Sequence, residues 1–188
     1  QKAAELGVPL DRDDPATKSI LARVKELENE GYEFEGADAS LVLLMHRAVG
    51  RFEPLFKTLA YNAHVDQHAP DAAPVSQATV KLELPCGKTV HTVAEGHGPV
   101  DALNHALRKA LEAKYPEIND MHLEDFKVRI LDGKLATSAK TRVLIESSDA
   151  EESWSTVGVS ENIITASYLA LVDSVEYKLM RGRLAAGK

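Results

Sequence analysis

The sequence predicts an α+β fold: internally duplicated strand-strand-helix units form an antiparallel sheet with both helices on one face, behind a small helical subdomain. Three observations predict it. First, Thr92–Tyr115 (TVAEGHGPVDALNHALRKALEAKY) and Thr156–Leu179 (TVGVSENIITASYLALVDSVEYKL) repeat each other at a constant offset of 64 positions. Thr92/Thr156, Val93/Val157, Ala102/Ala166, Ala106/Ala170, Leu107/Leu171, Glu112/Glu176 and Lys114/Lys178 are identical, and Leu111 faces Val175. Second, each copy opens on the end of a strand-like run and closes on a long amphipathic helix. Third, residues 15–50 carry helical rather than strand periodicity. A repeated unit of this kind gives pseudo-twofold symmetry and can bring two helix N-termini to one side. That suits a ligand sensor or an assembly surface better than a catalyst.

Along the chain, Asp13-Asp14-Pro15 reads as a helix start, with acids at the positive end of the dipole and proline in the first turn. Ile20, Leu21, Val24 and Leu27 recur at helical spacing, and Gly31 stops the run. Asp38 can cap a second helix carrying Leu41, Val42, Leu44, Met45 and Val49, ended by Gly50. Tyr32 and Phe34 anchor the turn between them. This hairpin belongs to a helical subdomain over 1–55, too small to stand alone and expected to pack on something else. Residues 56–75 read as a flexible linker, because HVDQHAPDAAP (64–74) is small, polar and proline-punctuated. A third region, 76–188, holds the duplicated units.

Within that region Ala78–Leu84 alternates with period two, Pro85–Lys88 is turn chemistry, and Thr89–Ala94 is the return strand. The Gly96-His97-Gly98-Pro99 turn opens the first long helix, whose buried stripe is Leu103, Ala106, Leu107, Ala110 and Leu111. Leu123–Leu131 is strand-like, with Phe126, Val128 and Ile130 on one side, and Asp132-Gly133 turns. Thr141–Glu146 and Trp154–Val159 flank the acidic loop Ser147–Glu152. The last helix, about Asn162–Arg181, carries Ile163, Ala166, Leu169, Ala170, Val172 and Leu179. Leu82, Leu84, Val143, Ile145 and Val157 make a second apolar set that a partner subunit would cover.

Composition narrows the function. With 22 basic against 29 acidic residues and no basic face, nucleic-acid binding is not expected. No apolar run approaches the roughly 20 residues that span a bilayer, and no signal peptide is visible. Cys86 stands alone, so it forms neither an internal disulfide nor a zinc site, and a reducing cytoplasm is expected. The chain opens at Gln1 inside helix-like sequence, which reads as a piece of a longer protein.

Catalytic and metal signatures are weak. His64 and His68 would share a helix face but sit in the expected linker without a third ligand. His91, His97, His105 and His122 have no ligand spacing. No nucleophile motif, dinucleotide loop or Walker lysine occurs. The turn at Gly96–Asp101 carries more. Its glycines let backbone amides approach a ligand closely, and they precede a helix N-terminus, which favours a carboxylate. Asp101 one turn in can neutralise an ammonium. Together these suit a free amino acid. The simpler reading is that Asp101 complements the dipole and the glycines make a tight turn; the residues alone favour it. Val100, Leu123, Phe126 and Ile130 can line an apolar pocket or be ordinary core. Ser160 or Asn162 can cap the second long helix.

The segments AEGHGPVDAL, KVRILDGK, RVLIESSD and WSTVGVSENIITASYLALVDSVEYKL resemble the C-terminal allosteric domain of the 2-isopropylmalate synthase and citramalate synthase family. LDRDDPATK and ELENEGYEFEGADAS resemble the helical region that joins this domain to the catalytic barrel. The match spans nearly the whole chain, and its long motifs are closest to citramalate synthase. The resemblance implies a whole enzyme that condenses acetyl-CoA with a 2-oxo acid, pyruvate for citramalate synthase. This acyltransferase works on a barrel with a divalent metal. The barrel is absent from this chain, so the chain alone is expected to be inactive and to need no cofactor. The resemblance further implies a homodimer that binds isoleucine, or alternatively leucine, at an interface beside the G-x-G-P turn. By motif the effector shell maps onto Gly98, Val100, Asp101, Leu123, Phe126, Ile130 and Ile163. Relatives often carry Asn where His97 stands and Tyr where Phe126 stands; the second change removes a hydroxyl. A ligand-free dimerisation module is the other reading.

Overall fold

The computed structural model describes residues 2–6, 8, 15–50, 52–131 and 139–186. The expected helix start at Asp13-Asp14 and the Asp132-Gly133 turn lie outside the described residues. The chain divides into two compact units, one of residues 54–120 and one that joins 1–53 to 121–188. In chain order the elements are α1 (Lys2–Glu5), α2 (Pro15–Glu30), α3 (Asp38–Ala48), β1 (Lys57–Asp66), β2 (Val75–Glu83), β3 (Thr89–Gly96), α4 (Pro99–Leu111), a 3-10 turn (Pro116–Asp120), β4 (His122–Ile130), β5 (Thr141–Ser148), β6 (Ser153–Ser160) and α5 (Ile163–Ala186).

The antiparallel α+β class with duplicated units holds, and each unit has its own three-stranded sheet, ordered β1-β2-β3 and β4-β5-β6. The repeat is therefore strand-strand-strand-helix, one strand longer than the sequence reading. The extra strand in the 54–120 unit is β1, which occupies the first part of the stretch read as a flexible linker. It pairs antiparallel with β2 from Lys57↔Glu83 to Asp66↔Val75. Edge position explains the misreading: β1 is exposed along most of its length, so Ala, Asn and His replace the apolar alternation that marks a strand.

The duplication extends to fine register. β1 shifts register between Thr58 and Ala60, and β4 between Leu123 and Asp125, an offset of 65. Ser76 pairs with Gly96 in one sheet, and Thr141 with Ser160 in the other. Ser76 to Thr141 is again 65, whereas Gly96 to Ser160 is 64. The loop after β5, residues 149–152, is one residue shorter than the loop after β2, residues 84–88, and absorbs the difference.

Each core is one helix on one sheet face. On β2 the buried row is Ser76, Ala78, Val80 and Leu82; on β5 it is Thr141, Val143, Ile145 and Ser147. The helices meet these rows with small residues in matching places. Ala102, Ala106 and Leu107 on α4, and Ala166, Ala170 and Leu171 on α5, are all fully buried. Each such leucine stabilises its unit by about 1.5–3 kcal/mol. In the composite unit α3 packs on α5 and β6, and α2 packs on α3. Ile20 and Leu27 face inward, while Leu21 is exposed. Asp38 is the first residue of α3 rather than its cap. Ala37 holds that position and has no side-chain oxygen with which to cap. Gly31 ends α2 at a φ of +109°, a conformation costly for other residues. Among the described residues no helix is long and apolar enough to cross a membrane.

Candidate functional site

The start of α4 lies in the 54–120 unit. Gly98 is its N-cap, Pro99 takes the first helical position, and the first intrahelical bond runs from the Ala102 amide to the Gly98 carbonyl. Proline has no N–H, so the amides that the helix leaves over are those of Gly98, Val100 and Asp101. The two glycines of the turn differ in what they are for. A Cβ on Gly96 would come within 2.4 Å of the Ala102 nitrogen, so Gly96 lets α4 sit close on β3. A Cβ on Gly98 would meet nothing within 4 Å, and its backbone is extended (φ −157°, ψ 170°). Neither packing nor backbone strain requires glycine at 98, and the space beside its Cα is open.

Asp101 sits one turn in. Its carboxylate accepts the His97 amide at 2.9 Å, with the His97 ring Nδ1 at 3.3 Å. On the other side His105 Nε2 lies 3.4 Å from it. His105 Nδ1 faces the Glu95 carbonyl at 2.8 Å. A carbonyl only accepts, so Nδ1 carries the proton, and Nε2 donates to Asp101 only as the imidazolium. The fold thus places two imidazoles around one carboxylate, a grouping the sequence analysis did not pair. The signal was present as a spacing of four, 97, 101 and 105, broken by the turn between His97 and the helix. His64, read as sharing a helix face with His68, lies instead in strand β1, 3.6 Å from Asp66.

The other sequence-derived candidates fall in the composite unit. Phe126, Val128 and Ile130 pair with Ile145, Val143 and Thr141. Directly paired residues share a sheet face, so this row lies on the face that carries α5. Leu123, opposite Ser147, joins it. The helix covers β5 and β6, while β4 is the outer strand, and the row stays open: Leu123 is 36% exposed, Phe126 36%, Val128 42% and Ile130 60%. They are not buried core. Ile163 is the first residue of α5 and also exposed. Asn162 caps that helix, accepting the Ile164 amide at 2.8 Å and the Thr165 amide at 3.2 Å, while Ser160 accepts the Asn162 amide. At the matching place before α4 stands Gly98, which has no side chain to offer. Gly98, Val100 and Asp101 therefore belong to one unit, and Leu123, Phe126, Ile130 and Ile163 to the other.

A sequence model of the LeuA allosteric (dimerisation) domain matches residues 35–179. The chain belongs to that family. Among curated proteins, the (R)-citramalate synthase of Geobacter sulfurreducens is 49% identical over 186 residues, which is 99% of this chain and 35% of the relative. That of Synechocystis is 52% identical over 181 residues, 95% of this chain and 33% of the relative. The 2-isopropylmalate synthase of Thermus thermophilus is 36% identical over 111 residues, 59% of this chain and 29% of the relative. This LeuA domain thus spans about a third of the length of the curated relatives it matches.

Proposed function

We propose that the chain is the feedback-regulatory part of a citramalate synthase and that it binds isoleucine as a cytoplasmic homodimer. The observation that carries this reading is the likeness to (R)-citramalate synthases along nearly the whole chain. The amides at the start of α4 take the effector carboxylate, and Asp101 answers its ammonium. Leu123, Phe126, Ile130 and Ile163, with Val100, hold the aliphatic side chain in the assembled dimer. Open space over Gly98 and an uncovered apolar row on β4 both suit that role. The whole protein would condense acetyl-CoA with pyruvate on a metal-dependent barrel outside this chain, and effector binding would bias that barrel through α2 and α3. Coupling between such sites is typically about 1–3 kcal/mol. Leucine in place of isoleucine, as in a 2-isopropylmalate synthase, is a change of shape in one pocket, worth about 1–3 kcal/mol.

One observation favours a second reading, a dimerisation module without an effector. The Asp101 carboxylate is already engaged by the His97 amide, as a plain helix-start brace would be. Asp101→Asn separates the two. In a sensor it weakens isoleucine binding in calorimetry and leaves the dimer intact by sedimentation. In a scaffold neither protein gives heat with isoleucine.

A further inference from the structure

The composite unit contains a cavity of about 650 Å³ that the effector reading does not use. Its walls come from α2, the turn after it, α3, β6 and α5. Cavities of roughly 300–1,000 Å³ hold small organic molecules. Leu27, Phe34, Leu44, Val157 and Val172 make most of the wall apolar. Its charged groups are two guanidiniums, Arg23 and Arg47, and one carboxylate, Asp173.

Where α3 meets α5 the polar groups are closed on one another. Arg47 Nη2 binds Asp173 at 3.0 Å and also binds Glu176, which lies outside the wall. Ser40 Oγ donates to Asp173 at 2.8 Å and accepts the Val157 amide at 3.1 Å. The one carboxylate of the wall is thus already matched, and Arg23 is the cation left over.

Arg23 is open to a ligand. It spends Nη1 on Glu26 at 3.0 Å, in a pair whose side chains are 54% and 63% exposed. Exposed pairs of this kind contribute little, and Glu26 is not part of the wall. A guanidinium has five N–H donors, and the rest of those on Arg23 meet no acceptor among the described residues. Tyr32 supplies a second donor. Its oxygen accepts the Val159 amide, and burial raises the phenol above its ordinary value, so the hydroxyl keeps its proton. Among the described residues nothing accepts that proton. Donors of this kind, one of them charged, suit an anionic oxygen.

We propose that this cavity is a binding site for a small monocarboxylate with an apolar body, the carboxylate at Arg23 and the Tyr32 hydroxyl and the body against Leu44 and Val172. An alcohol of the same shape forgoes the charge-assisted bonds, and an amine brings a second cation to Arg23. The site lies within one unit and does not depend on the isoleucine reading.

Three probes with one apolar body test it on the 188-residue chain: 3-phenylpropanoate, 3-phenylpropan-1-ol and 3-phenylpropan-1-amine, each titrated by calorimetry and by amide chemical shifts. The carboxylate is expected to bind saturably and to shift the amides of Tyr32, Val159 and Val172, with the alcohol and the amine roughly tenfold weaker or silent. Arg23→Gln changes a half-exposed helix position, so the fold stands, and it is expected to bring the carboxylate down to the level of the alcohol. Leu44→Trp fills the cavity and leaves Arg23 and Tyr32 in place; it is expected to abolish binding of the carboxylate. Equal binding of all three probes, or no saturable binding of the carboxylate, would overturn the proposal. So would carboxylate binding that neither variant changes, which would place the probe at the start of α4 instead.

Discussion

Thr92 and Thr156, 64 positions apart, make the same hydrogen bond in two separate units. Thr92 Oγ1 donates to the Ala106 carbonyl at 2.7 Å, and Thr156 Oγ1 donates to the Ala170 carbonyl at 2.8 Å. In each case a strand hydroxyl ties the last strand of a sheet to the middle of the helix that covers it. Thr156 is fully buried, and Thr92 is half-buried. Replacing Thr156 with Val keeps the shape and leaves a buried carbonyl without this donor, a loss of about 1–3 kcal/mol. Thr92→Val is expected to lose a similar amount, since Ala106 is as fully buried as Ala170. Urea unfolding of the two variants checks this.

Gly158 shows how close that helix lies. A Cβ there would fall 2.1 Å from the Ala166 carbonyl oxygen and 2.9 Å from the Ala170 nitrogen, both backbone atoms that cannot swing aside. Gly158→Ala is expected to destabilise the composite unit by about 1–3 kcal/mol or more through overpacking. Gly98→Ala is expected to leave stability nearly unchanged, because its Cβ meets nothing. Thermal unfolding of both variants side by side makes the comparison. If Gly98→Ala also removes isoleucine binding, the open space serves the ligand.

Asp149 links the β5–β6 turn to the end of α5. Its side chain is fully enclosed, 2.6 Å from Lys178 Nζ, and also binds Arg181. Burial alone would raise this carboxyl, but Lys178, the amides of Glu152 and Glu151, and Arg181 outweigh it and hold it well below the usual carboxylate range. A carboxyl depressed in the folded state contributes stability above its unfolded value, near 3.8, and loses it as pH falls toward the folded value. The wild type should therefore lose stability below about pH 4. Asp149→Ala should cost about 1–3 kcal/mol at neutral pH, because it removes the carboxylate that Lys178, Arg181 and the amides of Glu151 and Glu152 share. Its acid limb should be flatter. Urea midpoints between pH 2 and 7 test the sign.

The row on β4 is exposed, so changing it should cost little within one chain. Phe126→Asp and Ile130→Asp are expected to alter unfolding free energy by only about 0.5 kcal/mol. If the row faces a second copy, as proposed, the same changes should shift the sedimentation coefficient from dimer to monomer.

The repeat was legible because its second half, the last strand and the helix, carries identities at fixed positions such as Ala106/Ala170. The first strand was not, because one residue fewer in the later loop moves the offset from 64 to 65 just where the identities fade. At an offset of 65, Tyr61 matches Phe126 and Val65 matches Ile130, but Asn62 and His64 between them carry no strand signature. The helix start at Gly98 was legible from Gly-Pro-x-Asp alone. That Gly96 serves packing and Gly98 does not is a fact of three-dimensional distance, which no local pattern encodes. The brace of His97 and His105 on Asp101 was hidden for a related reason: one of the three precedes the helix, where spacing no longer reports a shared face.

The central claim is that this chain senses a branched-chain amino acid as a dimer. Calorimetric titration with isoleucine, leucine and valine, with the melting temperature followed in parallel, tests it most directly. Isoleucine is expected to give saturable heat. At about a hundredfold over its dissociation constant it should add roughly 2.7 kcal/mol of stability, which is on the order of 5–10 °C for a chain of this length. No heat and no thermal shift with any of the three at millimolar concentration would contradict the claim.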